Sequence, residues 1–350
     1  GQWCAPRSLR GPLRTAPWPT RQQRIRPRPR RRVAAAARGC GRGSGCRGSG
    51  RRLAPSASRA GAEDQPELAR LLRLLPPEVE GRDLDLRIVS EVMASACQLR
   101  GRGADVLLRR CGGLIPAAAE GGRPRDLAQA AWALAKHPIQ DQMALASISQ
   151  ACLAKSEQFG AGDLPKLAWA YASLSEREKD LFGMIALEAA SKKRDLSAQG
   201  LSNLLWSFAK ARVEDAALSS LLRGGDFARQ LDSSSSQNLS NLAWALATLG
   251  TADATAFRAV VDAASRKLRE FSPQGIANTL WASAKLGAVD AALFQSMATH
   301  AAGMVADFTP HGLSSLIWSF ATAVLIPDRS MLLDVSAEAL LKIAAFTPQG

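Results

Sequence analysis

From residue 127 onward, apolar residues fall in short stretches with the three-to-four-residue spacing of a helix, and each stretch repeats the one before it. The stretches are LAQAAWALAK (127–136), LPKLAWAYAS (164–173), LSNLLWSFAK (201–210), LSNLAWALAT (239–248), IANTLWASAK (276–285) and LSSLIWSFAT (313–322). Counted from the Trp in each, positions −5, −2, −1, +2 and +5 hold mainly Leu, Ile, Phe and Ala. At 100° per residue these positions share one helix face. The stretches lack internal Gly, and their only internal Pro is Pro165, a composition that favours α-helix. Ser272-Pro273, Thr309-Pro310 and Thr347-Pro348 predict a hydroxyl N-cap with Pro at the first helical position, and Ser197 and Ser235 predict caps without Pro. Gly250 and Gly287 fall where a left-handed helix end is expected.

A second helix is predicted after a short turn, over 253–271, 290–308 and 328–346. Asp253, Asp290 and Asp328 open it, placing a carboxylate at the positive helix end. Phe271, Phe308 and Phe346 close it. The two helices form one unit, and the unit is counted out by Trp132, Trp169, Trp206, Trp244, Trp281 and Trp318 at intervals of 37, 37, 38, 37 and 37 residues. Neither helix can bury its apolar stripe alone, so adjacent units must bury each other's. The predicted fold is all-α: a right-handed α-solenoid of tandem helix–turn–helix repeats of about 37 residues. Three regions are expected. Residues 1–62 form a disordered Arg-rich leader, 63–120 a degenerate helical region, and 121–350 the repeat array. Within the second region, 86–98 and 105–119 have the character of a worn repeat with Ala94 near the Trp position. The closing FTPQG (346–350) has the character of the start of a further repeat.

Charge divides the chain in the same place. Residues 1–60 hold 16 Arg, no Lys and no acid, whereas 121–350 carry 21 basic and 21 acidic side chains. The formal charge of +14 therefore belongs to the leader, and the array is neutral. Such an Arg-, Ala-, Gly- and Pro-rich segment cannot build a core. Three readings of it stand: an organellar transit peptide, a non-specific RNA-backbone binder, or GC-biased coding sequence without a function of its own. No apolar run has the length of a membrane span.

Catalytic chemistry has little to stand on. His137, His300 and His311 lie in different repeats, without a partner carboxylate at a repeating helical spacing, and no HExxH, GxSxG or Walker loop occurs. Gly43, Gly45 and Gly48 match a dinucleotide-binding pattern literally but lie in Arg/Gly text with no strand before them. The six Cys (4, 40, 46, 97, 111 and 152) form no CxxC pair and no metal-ligand spacing, and reduced thiols are expected. No catalytic residue, metal or cofactor is predicted.

The polar face of the first helix is more informative. Positions −7, −3 and +4 fall within about 40° of one another, opposite the apolar face. They hold Arg125, Gln129 and Lys136; Gly162, Lys166 and Ser173; Gln199, Asn203 and Lys210; Gln237, Asn241 and Thr248; Gln274, Asn278 and Lys285; and His311, Ser315 and Thr322. Amides and hydroxyls can hydrogen-bond base edges and Lys can neutralise phosphates, so the stripe suits single-stranded RNA. A solvated helix face is also polar for no further reason, and amides can bond between adjacent repeats. The Trp borders the stripe. Small residues at −4 and +3 favour packing between repeats over stacking on a base.

The phrases LSNLLWSFAK, LSNLAWALATLG and FSPQGIANTLWASAKLG resemble the helical repeats of organellar RNA-binding proteins. These are the octotricopeptide-repeat proteins and the 37-residue repeats of FAST-kinase-like and RAP-domain proteins, and a subunit of the RNA-editing substrate-binding complex has a similar repeat. The resemblance covers about 121–350. The period is 37 rather than 38, and neither the PPPEW-like signature nor a RAP module is found. The resemblance implies a non-enzymatic RNA-binding solenoid, mitochondrial or alternatively plastid, acting on processing, stability or translation of organellar transcripts. Its expected partners are single-stranded RNA and other ribonucleoprotein subunits, with no small-molecule substrate and no membrane span. The competing expectation is a protein-binding scaffold without RNA contact.

Overall fold

The computed structural model describes residues 65–75, 84–99, 102–250 and 253–346. The expected leader and the Thr347 cap lie outside them. Every regular element among the described residues is helical. α1 (Gln65–Arg73) precedes a series of pairs: α2 (Leu86–Ala96) with α3 (Arg102–Ala118), and α4 (Pro124–Lys136) with α5 (Gln142–Ala154). Next come α6 (Asp163–Ser173) with α7 (Lys179–Ser191), and α8 (Ala198–Ala211) with a split partner, α9 (Leu218–Leu221) and α10 (Gly225–Asp232). The last pairs are α11 (Ser236–Leu249) with α12 (Ala254–Ser265), α13 (Pro273–Lys285) with α14 (Ala291–Ala302), and α15 (Pro310–Thr322) with α16 (Arg329–Leu341). First helices pack on first helices in an unbroken row from α2 to α15, and second helices meet second helices more sparsely. This is the layered packing of an α-solenoid.

The apolar face makes the row. Leu127, Leu164, Leu201, Leu239, Ile276 and Leu313, all at −5, are at most 1% exposed. Burying a Leu or Ile side chain completely stabilises by about 1.5–3 kcal/mol, and this one position supplies that in every repeat. The starts follow the predicted chemistry. Ser197, Ser235, Ser272 and Thr309 accept hydrogen bonds from the backbone N–H groups of Gly200, Asn238, Gly275 and Gly312. Gly250 and Gly287 both have φ +66°, as a left-handed helix end requires. Ser175, Arg212 and Val324, six residues after their Trp like these two Gly, take the same conformation at φ 65°, 56° and 56°.

The second helices are shorter than their apolar pattern predicts. α12, α14 and α16 stop at Ser265, Ala302 and Leu341, and a 3₁₀ turn follows at Leu268–Glu270, Val305–Asp307 and Ile343–Ala345. Phe271 and Phe308 then run in extended backbone (ψ 132° and 140°). Leaving the helix aims each ring under the next first helix, where both are at most 2% exposed. A Cβ on Gly275 or Gly312 would stand 3.1 or 3.2 Å from the Phe ring, so Gly at the third helical position makes room for it. Asp253 and Asp290 cap their helices as expected. Asp328 makes no side-chain cap and instead accepts from Gln295 Nε2 at 3.0 Å. The single 38-residue interval, between Trp206 and Trp244, contains the broken second helix, with Gly224 at φ +83°.

A polar staple joins successive repeats. Near the end of each second helix from α5 onward, one side chain reaches back to main-chain carbonyls at the previous junction. Lys155 Nζ donates to Gly122 O at 2.6 Å, Gln230 Nε2 to Leu196 O at 2.9 Å, Lys267 Nζ to Ser234 O at 2.5 Å and Lys342 Nζ to Phe308 O at 2.6 Å. Lys192 reaches Glu157 O at 3.1 Å, and the His300 ring nitrogen Nε2 stands 3.3 Å from Phe271 O. Gly122, Leu196, Ser234, Phe271 and Phe308 each directly precede a first-helix N-cap, so these bonds tie the end of a second helix to the start of a first helix.

Candidate nucleic-acid interface

The three stripe positions form a graded surface along the row of first helices. The −7 row, Arg125, Gly162, Gln199, Gln237, Gln274 and His311, is exposed throughout. In the −3 row Gln129, Lys166, Asn203, Asn278 and Ser315 are half-buried, and Asn241 is 5% exposed. In the +4 row Lys136, Ser173, Lys210 and Thr248 are half-buried, whereas Lys285 and Thr322 are exposed. The stripe is therefore a shallow trough, with amide side chains at its floor.

The tryptophans belong to this trough as well as to the packing. Trp206 is 8% exposed, but Trp318 is 44% exposed, and Trp132, Trp169, Trp244 and Trp281 lie between. The rings of Trp206 and Trp244 stand 6.4 Å apart at 36°, as do those of Trp281 and Trp318. Lys136 Nζ lies 5.7 Å from the Trp132 ring centroid, Lys210 Nζ 4.8 Å from Trp206 and Lys285 Nζ 4.7 Å from Trp281, each in cation–π range. Small residues at −4 and +3 allow this approach. The tryptophans thus pack between repeats, and three of them also contact a Lys of their own repeat.

Within the trough, Lys166 Nζ donates to Gln129 Oε1 at 3.0 Å, tying α6 to α4. Asn203, Asn241 and Asn278 do not form a ladder of this kind; the Asn241 Nδ2 donor is buried without a partner, and so are Ser173 Oγ and Thr248 Oγ1. Of the four such atoms among the described residues, these three lie on the stripe, and the fourth is Ser283 Oγ. A buried unpaired polar atom costs stability, and three of the four belong to residues of this one helix face. Burial disfavours the charge on Lys210 and Lys285, lowering both pKa values, and repulsion from Arg212 adds to the effect at Lys285.

Other candidates from the sequence lie apart from this surface. His137 Nδ1 stands 2.8 Å from Asp105 Oδ1, a pairing between repeats that helical spacing alone did not reveal. Burial raises the Cys97 thiol to about 11 and the Cys111 thiol to about 12, and pushes Cys152 up further; such thiols are poor nucleophiles and poor metal ligands. Among the described residues no helix is long and apolar enough to cross a membrane. Sequence reasoning missed the Lys–Trp contacts, because position +4 was weighed only as part of a polar stripe.

No curated protein matches the chain closely enough to count as a relative. Residues 78–350, more than three quarters of the sequence and all of the paired helices from α2 to α16, match the family of RNA-editing substrate-binding complex 6 proteins. With the helical-repeat architecture and the match over this length, the chain belongs to the RNA-editing substrate-binding complex 6 protein family.

Proposed function

We propose that this protein is a non-catalytic subunit of an RNA-editing substrate-binding assembly that holds single-stranded RNA along the trough of its first helices. The observation that carries the reading is the trough itself: amides, hydroxyls and lysines at positions −3 and +4 of every repeat, beside an exposed −7 row with Gln in three repeats. The family's name supplies the class of substrate, and the likeness to octotricopeptide and FAST-kinase-like repeats agrees with it. The array is electrically neutral, so its affinity comes from hydrogen bonding and a few placed lysines rather than from bulk charge. An Arg-rich, acid-free leader supports a mitochondrial setting, with a plastid as the alternative.

A second reading, docking of a protein partner, is favoured by one observation. The array from 121 to 350 carries 21 basic and 21 acidic side chains, without the excess of positive charge on which sequence-independent RNA affinity mostly rests. The test is the triple variant Asn203→Ala, Asn241→Ala and Asn278→Ala in the full chain. RNA affinity should fall at least tenfold while the helical spectrum stays as in the wild type and the variant remains folded at the assay temperature. Unchanged affinity would leave the protein-scaffold reading in possession.

A further inference from the structure

The +4 position alternates from repeat to repeat: Lys136, Ser173, Lys210, Thr248, Lys285, Thr322. Cations therefore recur 74 and 75 residues apart, twice the structural period. The alternation coincides with contacts made elsewhere in the trough. Each of the three lysines lies over the Trp of its own repeat. The two close Trp pairs, Trp206 with Trp244 and Trp281 with Trp318, each join a lysine repeat to the hydroxyl repeat that follows it. The buried polar atoms without partners on the stripe, Ser173 Oγ, Asn241 Nδ2 and Thr248 Oγ1, all belong to hydroxyl repeats. At the +4 position charge thus falls in one set of alternate repeats, and the unfilled hydrogen-bonding capacity on the stripe falls in the other; Lys166, the cation at −3 of a hydroxyl repeat, is already held by Gln129.

We infer that the RNA strand is engaged in two-repeat steps, with a phosphate held at Lys136, Lys210 and Lys285 and a base edge received at the hydroxyl repeat between. The inference rests on the RNA-binding reading and adds the register of the strand. Among the described residues none of the three lysines forms an ion pair with a carboxylate. The Trp face is a soft partner, one that an anion can outbid. When a phosphate draws the ammonium off the ring, the exposed indole becomes a stacking surface for a neighbouring base. Ser173 Oγ, Thr248 Oγ1 and Asn241 Nδ2 are covered in the free protein and meet a base edge only once neighbouring side chains have moved; such contacts can distinguish bases, whereas the lysine contacts carry no sequence information.

The test uses the full chain and a fluorescein-labelled single-stranded RNA 20-mer of mixed sequence, with Kd measured across a range of salt concentrations. The arginine-rich leader contributes equally to every variant and cancels in the comparison. Each of Lys136→Gln, Lys210→Gln and Lys285→Gln should reduce the magnitude of the log Kd against log salt slope by about 0.7, and the triple variant by about 2. Lys210→Arg should restore the slope, which a purely structural role would not require. Ser173→Ala and Thr248→Ala should leave the slope unchanged but narrow the difference in affinity between homopolymeric RNAs. A slope unmoved by the lysine variants, in a protein that still loses binding in the asparagine triple variant, overturns the two-repeat register and leaves the trough standing. A wild-type chain that does not bind RNA overturns both.

Discussion

At the scale of single residues, the Trp series shows how one repeated letter acquires different environments. Trp206, with Trp244 and Lys210 beside it, is 8% exposed, whereas Trp318 is 44% exposed. Trp206→Ala should therefore destabilise by about 3–5 kcal/mol, the range for removing a buried aromatic side chain, and Trp318→Ala by less than about 1 kcal/mol. Urea denaturation of the two variants checks the difference, and equal losses would mean that Trp318 is covered in solution. The buried positions were legible because burial leaves a compositional mark: Leu or Ile stands at every −5. The staple residues Lys155, Lys192, Gln230, Lys267, His300 and Lys342 were not, for two reasons. Their partners are main-chain carbonyls of another repeat, and several donor types do the same work. The alternation at +4 stood in the sequence in plain letters, but it carries meaning only once Lys210 is seen over Trp206.

At the scale of the element, helix starts were legible and second-helix ends were not. A hydroxyl followed by Pro, as at Ser272-Pro273, specifies a cap with local chemistry alone. The end of α12 does not, because LRE (268–270) suits an α-helix as well as a 3₁₀ turn. The decision comes from Phe271, whose burial under the next repeat requires the chain to leave the helix. Helix exits show a related tension. The residue six after Trp is left-handed in five repeats, and where it is Val324, at φ 56°, a β-branched side chain is held where it is strained. Val324 is 87% exposed, so its side chain contributes little packing in return. Val324→Gly should stabilise by about 0.5–1 kcal/mol, the relief of left-handed strain less the extra chain entropy of Gly. A higher melting temperature with an unchanged helical spectrum is the expected result, and a lower one would show that Val324 packs on something in solution.

At the scale of the whole molecule, repetition does two things at once. It fixes the fold, since stacking leaves the apolar faces no alternative partner, and it sets one polar trio per repeat along a continuous trough. The fold class was accordingly legible from the Trp ruler. The candidate site was legible only as polar residue types at a common angle, because depth, unpaired atoms and the Lys–Trp contacts depend on how neighbouring repeats approach. Sequence-reading should follow from the variable trio on a constant scaffold. The most direct measurement is crosslinking and sequencing of RNA bound in cells by the full chain, beside its Asn203→Ala, Asn241→Ala, Asn278→Ala variant. A few discrete organellar transcripts with short footprints, lost in the variant, are the predicted result. Footprints that are absent, or that persist unchanged when the three asparagines are removed, would contradict an RNA-binding trough.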